Sequence, residues 1–341
     1  MKTTLKDIAE ATGYSIPTVS RVLNNGDKFY SDDTARIILE AAHKMNYKPN
    51  IMARGLKTGK SYSIAMLVPQ LDDFYDSIFR TIQHRLNENG YSLAIFSSDY
   101  DEKIERLHLK SIKERNYDGV IVVTGFLEKK LNENPEKVFG NTPVIMLERK
   151  YRRNENIASV SFNVKKAMKE VVNYLVALGH RRIAFIAAPE RFDTISQRRE
   201  GYLEGLIENG ITPDESLIIF DEAFEKTDYS VLYNFMSKIF ERTDYTAIVS
   251  SSDFAAFASL RIAQQRGIRI PQDVSLVGFD DIVYTQYTIP SLSTVSQDTK
   301  TLGEEAAQLL LNVMNGKKKE QIIIDCKLSI RESVGPCKIL N

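Results

Sequence analysis

The stretch that decides how the first part of the chain folds is AEATGYSIPTVSRVLN, residues 9–24. A helix is predicted up to residue 12, because residues recur there at the spacing of one helical face: Leu5, Ile8, Ala9 and Thr12. Gly13 can end that helix in a left-handed conformation, and Ser15 can accept a bond from a free N–H of a following helix. Pro17 fits the first turn, whose N–H groups have no intrahelical partner. The stretch therefore predicts two short helices joined by a glycine turn.

The second helix has an apolar face and a face suited to reading nucleic acid. The inward set is Val19, Val22 and Leu23, and the outward set is Ile16, Pro17, Ser20, Arg21, Asn24 and Asn25. Two helices at a glycine turn, the second presenting small, polar and basic groups, are typical of a helix-turn-helix in a major groove. Helix corners of this kind also occur in all-α proteins that bind no DNA, so the pattern alone leaves both readings open.

The residues that follow extend the pattern. Ser31 is placed to cap a third helix over 32–45, whose predicted inward residues are Ala35, Ile38, Leu39 and Ala42. Asn-Tyr-Lys-Pro-Asn then breaks the chain at 46–50, and Ala-Arg-Gly-Leu follows at 53–56. In this order and spacing, residues 5–61 closely resemble the headpiece and hinge of the lactose/galactose repressor (LacI/GalR) family.

That resemblance implies a DNA-binding regulator, in which 1–48 is the headpiece, 49–61 the hinge and 62–341 the effector-binding and dimerisation core. It implies a homodimer on pseudo-palindromic double-stranded operator DNA, with Leu56 as the leucine that wedges into the central base step. The predicted DNA-binding residues are Ser15, Ile16, Pro17, Thr18, Ser20, Arg21, Asn24, Asn25, Ser31, Asn50, Ala53, Arg54, Leu56 and Lys57. Among them, Ile16 and Pro17 suit a thymine methyl group, and Arg21 suits guanine.

The charge distribution supports this prediction although the formal net charge of the whole chain is zero. Residues 1–60 contain ten Lys and Arg against six Asp and Glu, so the positive excess lies where phosphates would be contacted. The hinge has about two helical turns and contains Gly55, so it is expected to be helical only when held by DNA and its dimer mate.

Composition excludes several classes of protein. The chain has 341 residues, 43% of them hydrophobic and 26% charged, which is ordinary for a soluble protein of two or three domains. Two cysteines without metal or redox spacing favour free thiols. Because no signal segment or long apolar stretch is present, a cytoplasmic protein without membrane contact is expected. Scattered histidines and the absence of a nucleophile motif predict neither catalysis nor a metal or cofactor.

From residue 62 onward, short apolar runs alternate with amphipathic segments. The runs are 64–68, 93–96, 120–123, 144–147, 183–186, 217–220, 247–249 and 274–279. Runs of this length between helices indicate parallel strands buried on both faces, and their number predicts two doubly wound sheets. Crossings between the sheets are predicted near 154–162 and 290–296. Ligands of such sheets bind beyond the carboxyl ends of the strands.

This part resembles the core of the same family, which is itself similar to periplasmic sugar-binding proteins. The segments that carry the resemblance are LGHRRIAFI at 178–186, IPQDVS at 270–275, VGFDD at 277–281, PSLSTV at 290–295 and RES at 331–333. The fold class is thus an N-terminal all-α helix-turn-helix headpiece plus an α/β core of two doubly wound parallel-sheet lobes. The N-lobe is expected over 62–160 and 291–325, and the C-lobe over 161–290 and 326–341.

The resemblance, together with positions at strand ends, places a small-molecule effector in the cleft between the lobes. The predicted effector-binding residues are Phe74, Tyr75, Phe192, Thr194, Arg198, Phe224, Ser252, Asp253, Asp280 and Gln297. Aromatic faces and charged groups of this kind suit a sugar or sugar derivative, and the working hypothesis is induction. A regulator controlled by a partner protein or by a non-sugar corepressor is the alternative.

Overall fold

The computed structural model describes residues 3–23, 30–48, 55, 58–123, 138–148, 157–190, 192–225 and 228–338. The chain divides into two compact units, Met1–Tyr62 and Ser63–Asn341. Each unit has its own core, and each is described by itself below.

The first unit contains the predicted helices, α1 (Leu5–Thr12), α2 (Ile16–Leu23) and α3 (Asp32–Lys44). Gly13 has a φ of 73°, and its N–H donates to the carbonyl of Ala9 at 2.9 Å, so the predicted left-handed exit from α1 is confirmed. Ser15 Oγ accepts from the N–H of Thr18 at 3.3 Å, which confirms the predicted cap of α2. The local signals of the sequence are therefore sufficient to fix this corner.

A small apolar cluster holds the three helices together. Its buried residues are Ile8, Ala9, Val19, Val22, Ile38 and Ala42. The prediction that Leu39 faces inward is wrong, because its side chain is 52% exposed. Leu39 follows the fully buried Ile38 and is rotated by about 100° around the helix axis, which turns it to solvent.

The second unit contains two six-stranded sheets. The first has the order β11-β5-β4-β3-β1-β2, and all its pairs are parallel. Its strands are β1 (Ser63–Val68), β2 (Ser92–Ser97), β3 (Gly119–Val122), β4 (Val144–Leu147), β5 (Ala158–Phe162) and β11 (Gln321–Ile324).

The second sheet has the order β12-β10-β9-β8-β6-β7. Its strands are β6 (Ile183–Ala187), β7 (Ile218–Phe220), β8 (Ala247–Ser250), β9 (Ser275–Asp280), β10 (Ser293–Ser296) and β12 (Lys327–Ser329). All its pairs are parallel except that of β12 with β10, which is antiparallel. The prediction of two parallel, doubly wound sheets is confirmed, apart from this edge strand.

Both sheets are covered on both faces, which explains why the central strands are continuous apolar runs. Ile64 and Met66 of β1 belong to one apolar cluster, whereas Ala65 and Leu67 belong to another. Successive side chains of a strand point to opposite faces, so both faces of this strand are buried. The covering helices of the unit are Asp73–Glu88, Glu102–Glu114, Val164–Ala177, Asp193–Glu208, Tyr229–Ile239, Asp253–Arg266 and Thr299–Met314.

The chain passes between the two sheets three times, at positions that differ in part from those predicted. The first passage follows β5, which ends at Phe162, and the third separates β11 from β12. The segment 293–296, expected in the N-lobe, is strand β10 of the second sheet. The second passage therefore comes after Ser296, because β10 pairs with β9 before the chain enters the helix Thr299–Met314, which packs on β3–β5.

No helix among the described residues is both long and apolar enough to cross a membrane.

Candidate functional site

The exposed side of α2 carries the predicted base-reading residues. Ser15, Pro17 and Arg21 are exposed, and Ile16 is 45% exposed, whereas Val19 lies in the core. An exposed isoleucine and proline at the start of this helix leave an apolar surface beside the arginine. This is the arrangement with which the second helix of a helix-turn-helix meets base edges.

The other predicted DNA contacts fall into two groups. Thr18 and Ser20 are half-buried on α2, and Ser31 caps α3 by accepting from the N–H of Thr34 at 3.2 Å. The hydroxyls of Ser15 and Thr18 lie 2.9 Å apart, so capping and side-chain placement are linked at the start of α2. The remaining predicted contacts lie outside the described residues: Asn24, Asn25, Asn50, Ala53, Arg54, Leu56 and Lys57.

The second candidate site is a cavity of about 390 Å³ at the carboxyl ends of the strands. From the first sheet, Asp99 and Tyr100 follow β2, and Glu148 follows β4. From the second sheet, Ser251 follows β8 and Asp280 ends β9. The position agrees with the rule that ligands of open α/β sheets bind beyond the carboxyl ends of the strands.

Eight of the ten residues predicted for effector binding line this cavity: Phe74, Tyr75, Phe192, Thr194, Arg198, Phe224, Ser252 and Asp280. The structure brings them together from segments that are far apart in sequence. Asp253 and Gln297 are not among the lining residues.

Arg198 is the cation of the cavity wall. Its side chain is buried on the helix Asp193–Glu208, its Nη1 donates to the carbonyl of Ser251 at 2.7 Å, and its guanidinium carbon lies 3.6 Å from the ring centroid of Phe279. Burial lowers the pKa of Arg198, while Asp280 and Glu148 act in the opposite direction. Its Nε is buried and has no hydrogen-bond partner among the described residues, so the guanidinium is not fully paired within the protein.

Asp280 is the acidic residue whose charge does most to raise the pKa of Arg198 against the effect of burial. Its Oδ1 accepts from Nε2 of Gln297 at 2.8 Å, so Gln297 orients Asp280 instead of facing the cavity. Burial raises the pKa of Asp280 well above its ordinary range, and Arg198 counteracts the rise. The pair therefore offers a donor and an acceptor in a desolvated place, where hydrogen bonds to charged groups are strong.

Glu148 and Tyr75 supply the corresponding wall from the first lobe. Tyr75 Oη donates to Glu148 Oε2 at 2.6 Å, and Tyr75 is buried on the helix Asp73–Glu88. Burial raises the pKa of Tyr75, and the charge of Glu148 raises it further. The hydroxyl is thus held as a neutral donor to Glu148.

Several residues of the cavity lining are not among those predicted from the sequence. Asp72 caps the helix Asp73–Glu88 by accepting from the N–H of Tyr75 at 3.0 Å, and burial raises its pKa. Tyr100 lies with its ring centroid 5.9 Å from that of Phe192, so aromatic side chains of the two lobes meet. Burial and then the charges of four carboxylates raise the pKa of Tyr100. The sequence signal that could have identified these residues is their position, because Tyr100 follows strand β2 and Glu225 follows strand β7.

Backbone strain accompanies these strand ends. Tyr100, Glu148 and Asp280 have φ values of 55°, 60° and 117°, in regions that residues other than glycine rarely adopt. Such conformations persist only where the surroundings impose them, and they cluster at ligand sites. The strain therefore marks the same edge of the sheets as the lining residues do.

Asp253 is buried behind the cavity and is not part of its lining. Its Oδ1 accepts from Thr294 Oγ1 at 2.7 Å, and its Oδ2 accepts from the N–H of Ile282 at 2.9 Å. A Cβ at Gly278 would lie 2.2 Å from Asp253 Oδ1, so this carboxyl can approach β9 only because residue 278 is glycine. Burial raises the pKa of Asp253 to about 7. The residue ties β9 and β10 to the helix Asp253–Arg266 and has no face toward a ligand.

The cavity as a whole is rich in acceptors. Its described lining includes five carboxylates, Asp72, Asp99, Glu148, Glu225 and Asp280, beside one arginine. Carboxylates accept from hydroxyl donors, and aromatic rings offer faces for C–H surfaces. The arrangement suits a ligand with many O–H groups better than an anionic one.

Comparisons with known proteins match both parts of the chain. The model of "Bacterial regulatory proteins, lacI family" matches residues 4–50, and that of the "Periplasmic binding protein-like domain" matches residues 172–334. The HTH-type transcriptional regulator DegA of Bacillus subtilis (strain 168) is 31% identical over 98% of this chain and 99% of its own length.

Solved structures show the same fold. The Lac repressor dimer bound to operator and the anti-inducer ONPF has a TM-score of 0.83 at 24% identity, covering 98% of this chain and 100% of that chain. The transcriptional regulator CelR in complex with cellobiose has a TM-score of 0.70 at 24% identity, covering 97% of this chain and 100% of that chain. DegA and CelR are both named as transcriptional regulators. This chain belongs to the lacI family of bacterial regulatory proteins and is a DNA-binding transcriptional regulator.

Proposed function

We propose that this chain is a repressor that binds a pseudo-palindromic operator as a homodimer and releases it when a sugar or sugar derivative occupies the cavity. The observation that carries the effector class is the grouping of Arg198, Asp280 and Glu148 in one aromatic-walled cavity. A polyol both donates and accepts, so it can hydrogen-bond to a carboxylate and accept from the guanidinium of Arg198 at once.

The control mechanism follows from where the lining residues originate. Tyr75 and Glu148 belong to the first lobe, whereas Arg198 and Asp280 belong to the second. A ligand that bonds to both sets stabilises one relative position of the lobes over others, because it shifts the equilibrium by its differential affinity. In a dimer, that displacement would change the spacing of the two hinge segments and so the operator affinity.

The relatives support this proposal by analogy. DegA is named a transcriptional regulator, and the solved CelR complex contains cellobiose. An acceptor-rich cavity agrees with a neutral sugar more than with a phosphorylated one, since a phosphate would meet the carboxylates of the described lining.

The test is a mobility-shift assay with the full chain and DNA selected from a random pool for binding to it. We expect one neutral sugar in a panel to weaken the complex at least tenfold, and its phosphorylated counterpart to have less effect. Tighter DNA binding with the active sugar would reject induction in favour of corepression. If no sugar changes the complex while a partner protein does, the effector class is wrong.

A further inference from the structure

We infer that the cavity has two zones, and that its effector carries a second ring that stacks at an outer aromatic subsite formed by Tyr229 and Phe254. This inference rests on the proposed function of the cavity and specifies the ligand. The ligand class is a glycoside whose second ring has an apolar face, either another sugar or an aryl group.

The inner zone is buried and polar. Arg198 and Tyr75 are 7% and 6% exposed, and the Tyr75–Glu148 and Arg198–Ser251 hydrogen bonds lie there. This zone has the donors and acceptors to fix the orientation of one polyhydroxylated ring.

The outer zone is exposed and apolar. Tyr229, the first residue of the helix Tyr229–Ile239, lines the cavity and is nevertheless 54% exposed. Its ring centroid lies 5.0 Å from that of Phe254, with an interplanar angle of 31°. On the other lobe, the lining residue Leu71 is 61% exposed. Large apolar side chains facing solvent at the edge of a cavity are stabilised when a ligand covers them.

The packing behind this pair holds it in place. Phe254 meets Phe257 edge-on at 6.1 Å between centroids, and both rings belong to one helix that Ser252 caps by accepting from the N–H of Ala255. Tyr229 therefore rests on a supported ring and stays 54% exposed in the cavity lining. A rigid aromatic platform of this kind loses little entropy when a ring stacks on it.

The size of the cavity agrees with two rings. Its volume of about 390 Å³ falls within the range of roughly 300–1,000 Å³ that holds drug-sized ligands. One polyol ring at Arg198 and Asp280 would leave the Tyr229–Phe254 pair uncovered, whereas a second ring joined by a glycosidic bond would extend toward it.

The experiment is calorimetric titration of the full chain with matched one-ring and two-ring ligands. The pairs are methyl β-D-glucoside with cellobiose, methyl β-D-galactoside with lactose, and methyl α-D-glucoside with maltose; the p-nitrophenyl glycosides form the aryl arm. We expect the two-ring member of at least one pair to bind about tenfold more tightly. The disaccharide and aryl arms distinguish the two kinds of second ring.

Variants at Tyr229 test whether the higher affinity for the two-ring ligand comes from this residue. Tyr229→Ala should abolish the advantage of the two-ring ligand and leave the one-ring affinity unchanged, whereas Tyr229→Phe should retain the advantage. Tyr233→Ala is the matched control, because Tyr233 lies on the same helix and bonds to Gln265 outside the cavity lining.

Three outcomes would overturn the inference. Equal affinity within every pair, or equal weakening of both members by Tyr229→Ala, would show that no outer subsite exists; one-ring binding that releases DNA would still leave the proposed function standing. If no glycoside binds, both the inference and the sugar effector are wrong.

Discussion

The two units of this protein differ most in how much core supports each functional surface. In the first unit, six buried side chains on three helices hold the exposed face of α2 that is predicted to read bases. In the second, two six-stranded sheets with covered faces hold the cavity. A core as small as that of the first unit rarely supplies more than about 3–5 kcal/mol, so equal chemical changes should have unequal consequences in the two units.

The largest expected effect is the loss of the headpiece on Ile38→Ala. Ile38 is fully buried in the small cluster, and removing its side chain costs roughly 2–5 kcal/mol. That cost is comparable with the whole stability of the unit, so operator binding should disappear while ligand binding remains. Mobility shift and hydrogen exchange of peptides from each unit measure the two effects.

Ile248→Ala is the matched control, because Ile248 is equally buried in β8 of the larger unit. It should lower protection of the core without unfolding it and leave operator binding intact. If both variants lose operator binding to the same extent, the two units are not independent in stability.

The second largest expected effect is a loss of effector affinity at the cavity. Arg198→Met keeps most of the side-chain volume but removes hydrogen bonds to a charged group, worth about 1.5–3 kcal/mol, so effector affinity should fall about 10- to 100-fold. Operator binding without effector should persist. Arg199→Met is the control, because Arg199 pairs with Glu190 and Glu215 and does not line the cavity. Equal loss in both variants would remove Arg198 from the binding site.

A smaller effect on operator affinity is expected from a substitution in the glycine turn between α1 and α2. Gly13 has a φ of 73° and open space where a Cβ would stand, so Gly13→Ala introduces backbone strain alone, about 1 kcal/mol. Gly210 has a φ of 69° with equally open space, and Gly210→Ala imposes the same strain on the larger unit. We expect operator affinity to fall measurably in the first variant only, in fluorescence anisotropy with labelled DNA. A loss in the second variant as well would contradict the comparison.

The smallest expected effect is that the stabilities of the two units depend on pH in opposite directions. Bonds from the N–H and hydroxyl of Thr4 lower the pKa of Asp7, so its contribution to headpiece stability is present above the ordinary value near 3.8 and is lost as pH falls through the lowered pKa. Burial raises the pKa of Asp253 to about 7, so its contribution to core stability is complete below about 3.8 and is lost as pH rises through 7.

Hydrogen exchange of each unit between pH 3 and 8, corrected for the intrinsic exchange rate, measures both slopes. Asp7→Asn should flatten the acid loss in the headpiece, and Asp253→Asn should flatten the loss toward neutral pH in the core. Slopes of the same sign in both units would show that these two carboxyls do not dominate.

Sequence and structure agree best where the signal is local. The turn at Gly13 and the cap at Ser15 involve residues a few positions apart, so helix geometry alone fixes them. The prediction that Leu39 faces inward was wrong. The helical spacing of apolar residues allows either Ile38 or Leu39 to face the core, and only packing decides between them. Position at the end of a strand selected Asp280 and the family resemblance selected Arg198, but neither signal singled out Tyr100 or Glu225.

By itself, the sequence determined the helix-turn-helix, the alternation of strands and helices, and the family to which the chain belongs, because these depend on periodicity and spacing along the chain. Only the tertiary structure decided that β10 lies in the second sheet, that Asp253 and Gln297 do not line the cavity, and that the rings of Tyr229 and Phe254 lie 5.0 Å apart in its lining. These facts depend on distances between residues far apart in sequence, which sheet pairing and side-chain packing set.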